Sequence, residues 1–516
     1  TAALPAPAAA ATLRVASAFD PQTMDPHSLG LLYNTRVTFS IYEPLVGHDK
    51  DYRIVPVLAT GWRQVDPTTW RFTLRPDVHF HDGSLFTADD AVFSIERALA
   101  PPSQRQFVLK GVKSVRAVDP LTIELALAEP DAMLPQKLVL VAMMSRAWAV
   151  RHGVERAQDF DGHEDTYAVR NADGTGAFEL ERYAPGERVV LKAFPQWWGR
   201  GGRDVGNVDE ASFVTIRSDA ARLAALRSGE VDVVLDPPYE DIAALRGDPH
   251  LRVTQVGDLA TSYLAFDQQH VGLPGVPPGP NGRPRNPFRD LRVRQAVYEA
   301  VDVGRIVREV LGGQATPTGA MLSPLVEGSS PDLEPRLPHD PAAARALLAA
   351  AGYPDGFDVT LDCVDVAWRE RACRAMAAML GQVGIRVRLR ALPEAQFFPL
   401  LTEGKTSLAE YGFAGDAEDA WQALNGLLHT WDGKGGGSFN AGRYSSHEMD
   451  VLIDAVRVEA APARRRALVA RALGLARDQI AYIPLYRRTL SWAMRENVHV
   501  VMTPDDAIGL RWVTVR

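Results

Sequence analysis

His79 and His81, in the stretch HFHDG, are the first residues whose types and spacing could do chemistry. Two apart on a strand, they share a face, and two imidazoles on one face are part of a metal site. No third ligand with motif spacing lies near, and Asp82-Gly83 is turn chemistry. Gly404-Lys405-Thr406 ends like a phosphate-binding loop, but the upstream glycine that loop needs falls at Pro399. The Gly-rich run from Gly433 to Gly442 lacks the strand–turn–helix setting of a dinucleotide fingerprint and reads as a loop. There is no H-E-x-x-H and no G-x-S-x-G, and HGVER around His152 is an ordinary helical stretch. Nothing here nominates an enzyme.

The two cysteines, Cys363 and Cys373, fit no redox or zinc spacing. Cys363 closes a strand-like run from Phe357, and Cys373 sits in the helical run that follows. Either one disulfide ties strand end to helix start in an oxidising compartment, or both are ordinary half-buried thiols. A last stretch invites three readings: NADGTGAFELERYAPGERVVLKAFPQWWGRGG, residues 171–202. A phosphate loop, a sugar-binding platform and a structural hairpin all use glycines and tryptophans in this way.

The elements that must position such residues are those of a large α/β protein. With 516 residues, 46% of them hydrophobic, the chain can build two or three domains with real cores. A net charge of −8 argues against nucleic acid, which demands a basic face. The longest apolar candidate, Met133 to Val150, is broken by Gln136, Lys137, Ser145 and Arg146, so no run suits a membrane helix. The opening TAALPAPAAAATLRVAS reads as the mature end left by signal-peptide removal, which implies export.

Trp70, Phe72 and Leu74 alternate with polar residues, the pattern of a strand buried on one face. Thr87 is an N-cap, with Asp89 and Asp90 in the first turn where the helix dipole favours them. Ser218 opens and Gly229 closes another helix before a short buried strand, 231–235. One long helix is predicted over RDLRVRQAVYEAVDVGRIVREVLGG, after the Gly/Pro-rich surface loop VGLPGVPPGPNGRPRNPF. Two consecutive helix–strand pairs, from Asp340 to Pro393, predict a parallel sheet with helices packed on it.

Four blocks in order carry a family resemblance. Residues 41–98 hold a strand pair, an arginine, the FHDG turn and the T-A-D-D helix cap. Gly174-Thr175-Gly176-Ala177-Phe178 through Trp197-Trp198-Gly199 matches a G-T-G-P-F…Y…W block, with Ala177 in place of proline. Residues 286–307 and 439–455 match a third and a fourth block. The chain resembles the family 5 extracellular solute-binding proteins, the peptide, nickel and dipeptide receptors of ABC importers.

The resemblance implies a two-lobed α/β periplasmic-binding-protein fold of the large type. Lobe one would be 1–267, with an inserted subdomain at about 42–171; lobe two 268–483; and 484–516 would return to lobe one. YLAFDQ and YIPLYRR would cross as hinge strands, and the ligand would sit between closing lobes. It implies a periplasmic monomer that captures a small ligand, a short peptide first, and hands it to the membrane permease. No cofactor, metal or nucleic acid is implied. A metal chelate, haem, or another small organic compound such as an opine, sugar or aromatic acid is the alternative cargo; His429 and His447 would serve the first two. In this reading the Gly-Thr-Gly segment is scaffold, its glycines supplying backbone angles and its tryptophans packing over a strand.

The resemblance also nominates ligand contacts. Peptide-binding relatives hold the ligand's amino group with the aspartate of a W-x-x-D block. Here Asp416 takes that place if Phe413 stands for the tryptophan, and Asp419 takes it if the register slips. Arg369 is the candidate for a ligand carboxylate, because its fork is bidentate, with Trp368 as an apolar wall. Tyr33 and Asn34 lie at the first strand-to-helix passage, and Trp421 is a second candidate wall.

Overall fold

The computed structural model describes residues 11–202, 205–277, 283–414, 420–433 and 435–516. The chain divides into two compact units, Thr1–Val256 with Leu490–Arg516, and Gly257–Thr489.

In the first unit the strand Thr12–Ser17 runs parallel to Glu210–Thr215 on one side and to Val233–Leu235 on the other. Arg188–Ala193 and Phe178–Ala184 extend the sheet antiparallel beyond Glu210–Thr215. Residues 492–494 of the long strand Ile483–Arg495 pair with Val233–Leu235. A second, fully antiparallel sheet takes the order Ala59–Asp66, Thr69–Leu74, Thr122–Leu127, Val112–Asp119. Trp70, Phe72 and Leu74 are buried in the core of that sheet, as their alternation predicts. The helix Ala88–Leu99 covers it. The Asp90 carboxylate accepts from the Thr87 N–H and hydroxyl, each at 3.0 Å, so the acid closes the capping box. Ser218 caps the helix Asp219–Ser228, and Gly229 ends it at φ +79°.

The second unit is organised by Phe357–Val364, parallel to Ile385–Leu392 on one side and to Leu408–Phe413 on the other. The helix Ala367–Gln382 connects the first two, giving the right conditions for the βαβ unit that the sequence predicts. Residues 261–266 of the strand Leu251–Phe266 pair antiparallel with Leu408–Phe413. The long helix predicted after the Gly/Pro-rich loop is in fact two, Leu291–Ala300 and Val303–Glu309. Asp302 breaks it by accepting from the Arg305 N–H at 2.9 Å and starting a new N-terminus. Among the described residues no helix is long and apolar enough to cross a membrane.

The segment at 171–202 is held by close approach rather than by unusual backbone angles. A Cβ on Gly174 would lie 2.2 Å from the Ile41 carbonyl oxygen, and one on Gly176 would lie 2.5 Å from that of Ser40. Neither glycine is among those with positive φ, so space, not φ, requires them. The two tryptophans also do more than pack. Trp197 and Trp198 donate their indole N–H groups to the buried carboxylate of Glu43, at 3.0 and 2.8 Å, and Thr175 adds its hydroxyl at 3.1 Å.

His81 belongs to this scaffold. Its Nε2 meets the Gly176 carbonyl at 3.0 Å, and burial lowers its pKa to about 4. Beside it, burial and the nearby Asp82 charge push the Asp173 carboxyl up to about 7. A carboxyl raised on folding stabilises fully below its unfolded pKa, and that contribution fades as pH rises through 7. Between pH 4 and pH 8 the wild type should therefore lose about 2–4 kcal/mol that Asp173→Asn does not lose. Urea midpoints of both proteins across that range check it; parallel curves would refute the assignment.

Candidate functional site

Trp368 and Arg369 occupy the first turn of the helix Ala367–Gln382, just after the extended Val366. Glu410 lies on the neighbouring strand Leu408–Phe413 and has no exposed surface. A charge at that depth demands a counterion. Arg369 supplies it: Nη1 donates to both Glu410 oxygens, at 2.9 and 2.8 Å. Burial works against the guanidinium charge, and Glu410 more than offsets it, so the arginine's pKa rises. Among the described residues Arg369 Nε and Nη2 make no hydrogen bond. Nη2 points along Gly412, where a Cβ would stand 3.2 Å away.

A second arginine joins from the strand Ile483–Arg495. Arg488 Nη2 donates to Asp258 at 2.8 Å. The Trp368 indole carries both guanidinium groups, Arg369 at 4.7 Å and Arg488 at 5.4 Å from its centroid. The wall and the fork expected from the sequence thus stand together, with Arg488, Glu410 and Asp258 as members that sequence reasoning missed. Glu410 had a readable signal: one acid in the apolar run LAEYGF.

Phe413, at the end of its strand, lies 5.2 Å from Phe439, ring centre to ring centre. Trp421, in the helix Ala420–Leu428, packs half-buried against the same core as Phe413. Asp416 and Asp419 lie outside the described residues. In the first unit Tyr33 stacks on the exposed Phe19 at 5.5 Å, and its hydroxyl accepts from Gln22 at 2.8 Å. Asn34 is fully buried and spends its amide hydrogens on the carbonyls of Pro21 and Thr23, so it positions the loop that leads to Tyr33. His429 turns its Nδ1 to the Thr430 carbonyl at 2.7 Å. Among the described residues no group of three His, Cys, Asp or Glu side chains is placed to hold a metal.

The model of the bacterial extracellular solute-binding proteins, family 5, matches residues 53–435. The chain belongs to that family. It is a solute-binding protein of the ABC-importer type, whose members are receptors that work with a membrane permease. The glutathione-binding protein GsiB of Salmonella paratyphi A is 27% identical over 490 residues, covering 92% of this chain and 89% of the relative. Two solved structures share the fold at 22% identity, each covering 98% of this chain. One is the periplasmic binding protein DppA of Helicobacter pylori in complex with the peptide STSA, with a TM-score of 0.74 and 98% of that chain covered. The other is a nickel ABC transporter protein of Bacillus halodurans, with a TM-score of 0.80 and 99% covered.

Proposed function

We propose that this receptor captures a short peptide in the periplasm, as a monomer, and that the peptide's carboxylate docks on Arg369 and Arg488 beside the Trp368 indole. The observation that carries the reading is the pair of guanidinium groups on one indole, with Arg369 Nε and Nη2 making no hydrogen bond among the described residues. A carboxylate matches a guanidinium fork in geometry and charge. The amino group of the peptide is assigned to Asp416, with Asp419 as the other register. Phe413 and Trp421 supply apolar surface for side chains. The likeness to a glutathione-binding protein over 92% of the chain supports a peptide-sized zwitterion.

The test is thermal melting of protein first unfolded and refolded to strip resident ligand. Pooled di- to pentapeptides and glutathione are added at about a hundred times the dissociation constant, where stabilisation should reach roughly 2.7 kcal/mol. Arg488→Lys keeps a charge opposite Asp258 but loses the fork. It should weaken peptide binding about tenfold or more, a change of about 1.4 kcal/mol, while the ligand-free protein melts as before. Asp416→Ala should remove the peptide shift. A melting curve that peptides leave unmoved, but that a nickel chelate or an opine raises, would overturn the peptide assignment.

A further inference from the structure

We infer that Cys363 and Cys373 form a disulfide in the mature protein. They are the chain's two cysteines. Cys363 is the penultimate residue of the strand Phe357–Val364, and Cys373 lies two turns into the helix Ala367–Gln382 that packs on it. Both side chains have no exposed surface, both belong to one apolar core, and both are thiols in this structure. The connection between strand and helix is tight: the Val366 N–H bonds back to the Val364 carbonyl at 2.8 Å. The helix packs directly on the strand, so both side chains enter the same core from facing elements, and the Cys363 thiol, with burial, pushes the Cys373 thiol well above its ordinary value. Two isolated core thiols have no need to meet; a pair brought together this way is placed for a bond.

The step balances simply. Two thiols lose two protons and two electrons and gain one S–S bond. A small-molecule or protein disulfide takes up both, its own S–S bond breaking to give two thiols. Because exchange proceeds through a thiolate and these sulfurs are sealed from solvent, the bond closes during folding, before the core does. Once made, it ties the helix to the strand one turn below Arg369. The start of the helix, with Trp368 and Arg369, is then fixed against the sheet.

The protein is refolded in a mixture of oxidised and reduced glutathione, then denatured in N-ethylmaleimide without reductant, and its mass is measured. The expected mass is lighter than that of the reduced chain by two hydrogens, with no maleimide added. Prior reduction of the unfolded chain should give two adducts. The reduced protein, refolded without oxidant, should melt about 5 °C lower. Cys373→Ser should carry one adduct under every condition and melt with the reduced form. Two adducts on the protein refolded with oxidised glutathione would overturn the inference, as would equal melting of the oxidised and reduced forms for the link's structural role.

Discussion

Arg369→Met should destabilise the protein by about 3–5 kcal/mol, because it strands a charge in the core. Glu410 has no exposed surface, and among the described residues its side-chain oxygens take their hydrogen bonds from Arg369 alone. With the guanidinium gone, the carboxyl must either stay charged without a partner or take up a proton. The double variant Arg369→Met with Glu410→Met should recover most of the stability, since a buried ion pair is often no better than well-packed apolar groups of its size. Urea unfolding of the four proteins forms a double-mutant cycle, and the coupling energy isolates the pair. If the double variant is as unstable as the sum of the singles, Arg369 is not the counterion of Glu410. The recovered double variant also separates stability from binding: it should fold well yet bind peptide at least about tenfold more weakly, because it retains only one guanidinium on the indole.

Such pairs mark the boundary of what was legible in the sequence. Local rules served well where the cause is local. The Thr87 cap, the Ser218–Gly229 helix and the alternation at Trp70, Phe72 and Leu74 each depend on a few neighbours, and each is present. The long helix after Pro287 failed for an equally local reason, Asp302 competing for backbone N–H groups. The site was legible only in part. Trp368 and Arg369 stand out as a bulky aromatic beside a fork-shaped cation. Arg488 and Asp258 are 119 and 111 residues away from that pair in sequence, and only the sheet brings them together. Gly174 and Gly176 show a subtler gap. Their sequence signature is the same whether a glycine serves φ or close approach; the carbonyls of Ser40 and Ile41 decide it, more than 130 residues upstream.

That close approach frames the second large effect, at Glu43. The carboxylate follows directly on the chain that Gly174 and Gly176 pack against, and it receives three donors: the indoles of Trp197 and Trp198 and the Thr175 hydroxyl. Arg511 stands 4.0 Å away as its countercharge, and Arg75 lies 3.9 Å over the Trp198 ring. Burial pushes the Glu43 carboxyl up, and the three donors and Arg511 offset only part of that push. Burial also lowers the pKa of Arg511, whose main support is Glu43. Glu43→Ala removes one acceptor group and leaves three donors and one half-buried cation without it. A hydrogen bond to a charged group is worth about 1.5–3 kcal/mol, so the expected cost is at least about 4 kcal/mol. Glu43→Gln keeps the shape, yet one of its two ends becomes an NH2. Either orientation then sets a donor against a donor, because Trp197 meets one oxygen while Trp198 and Thr175 meet the other. It should cost about 2 kcal/mol, and Trp198→Phe about 1–2 kcal/mol. Guanidinium unfolding followed by tryptophan fluorescence and near-ultraviolet circular dichroism gives the ranking. Were Glu43→Ala to fall within about 1 kcal/mol of wild type, the tryptophans would be packing groups alone. The ranking Ala, then Gln, then Phe would instead make the tryptophan pair a lock on a buried acid, joining residues 174–176 and 197–198 to the chain at 40–43.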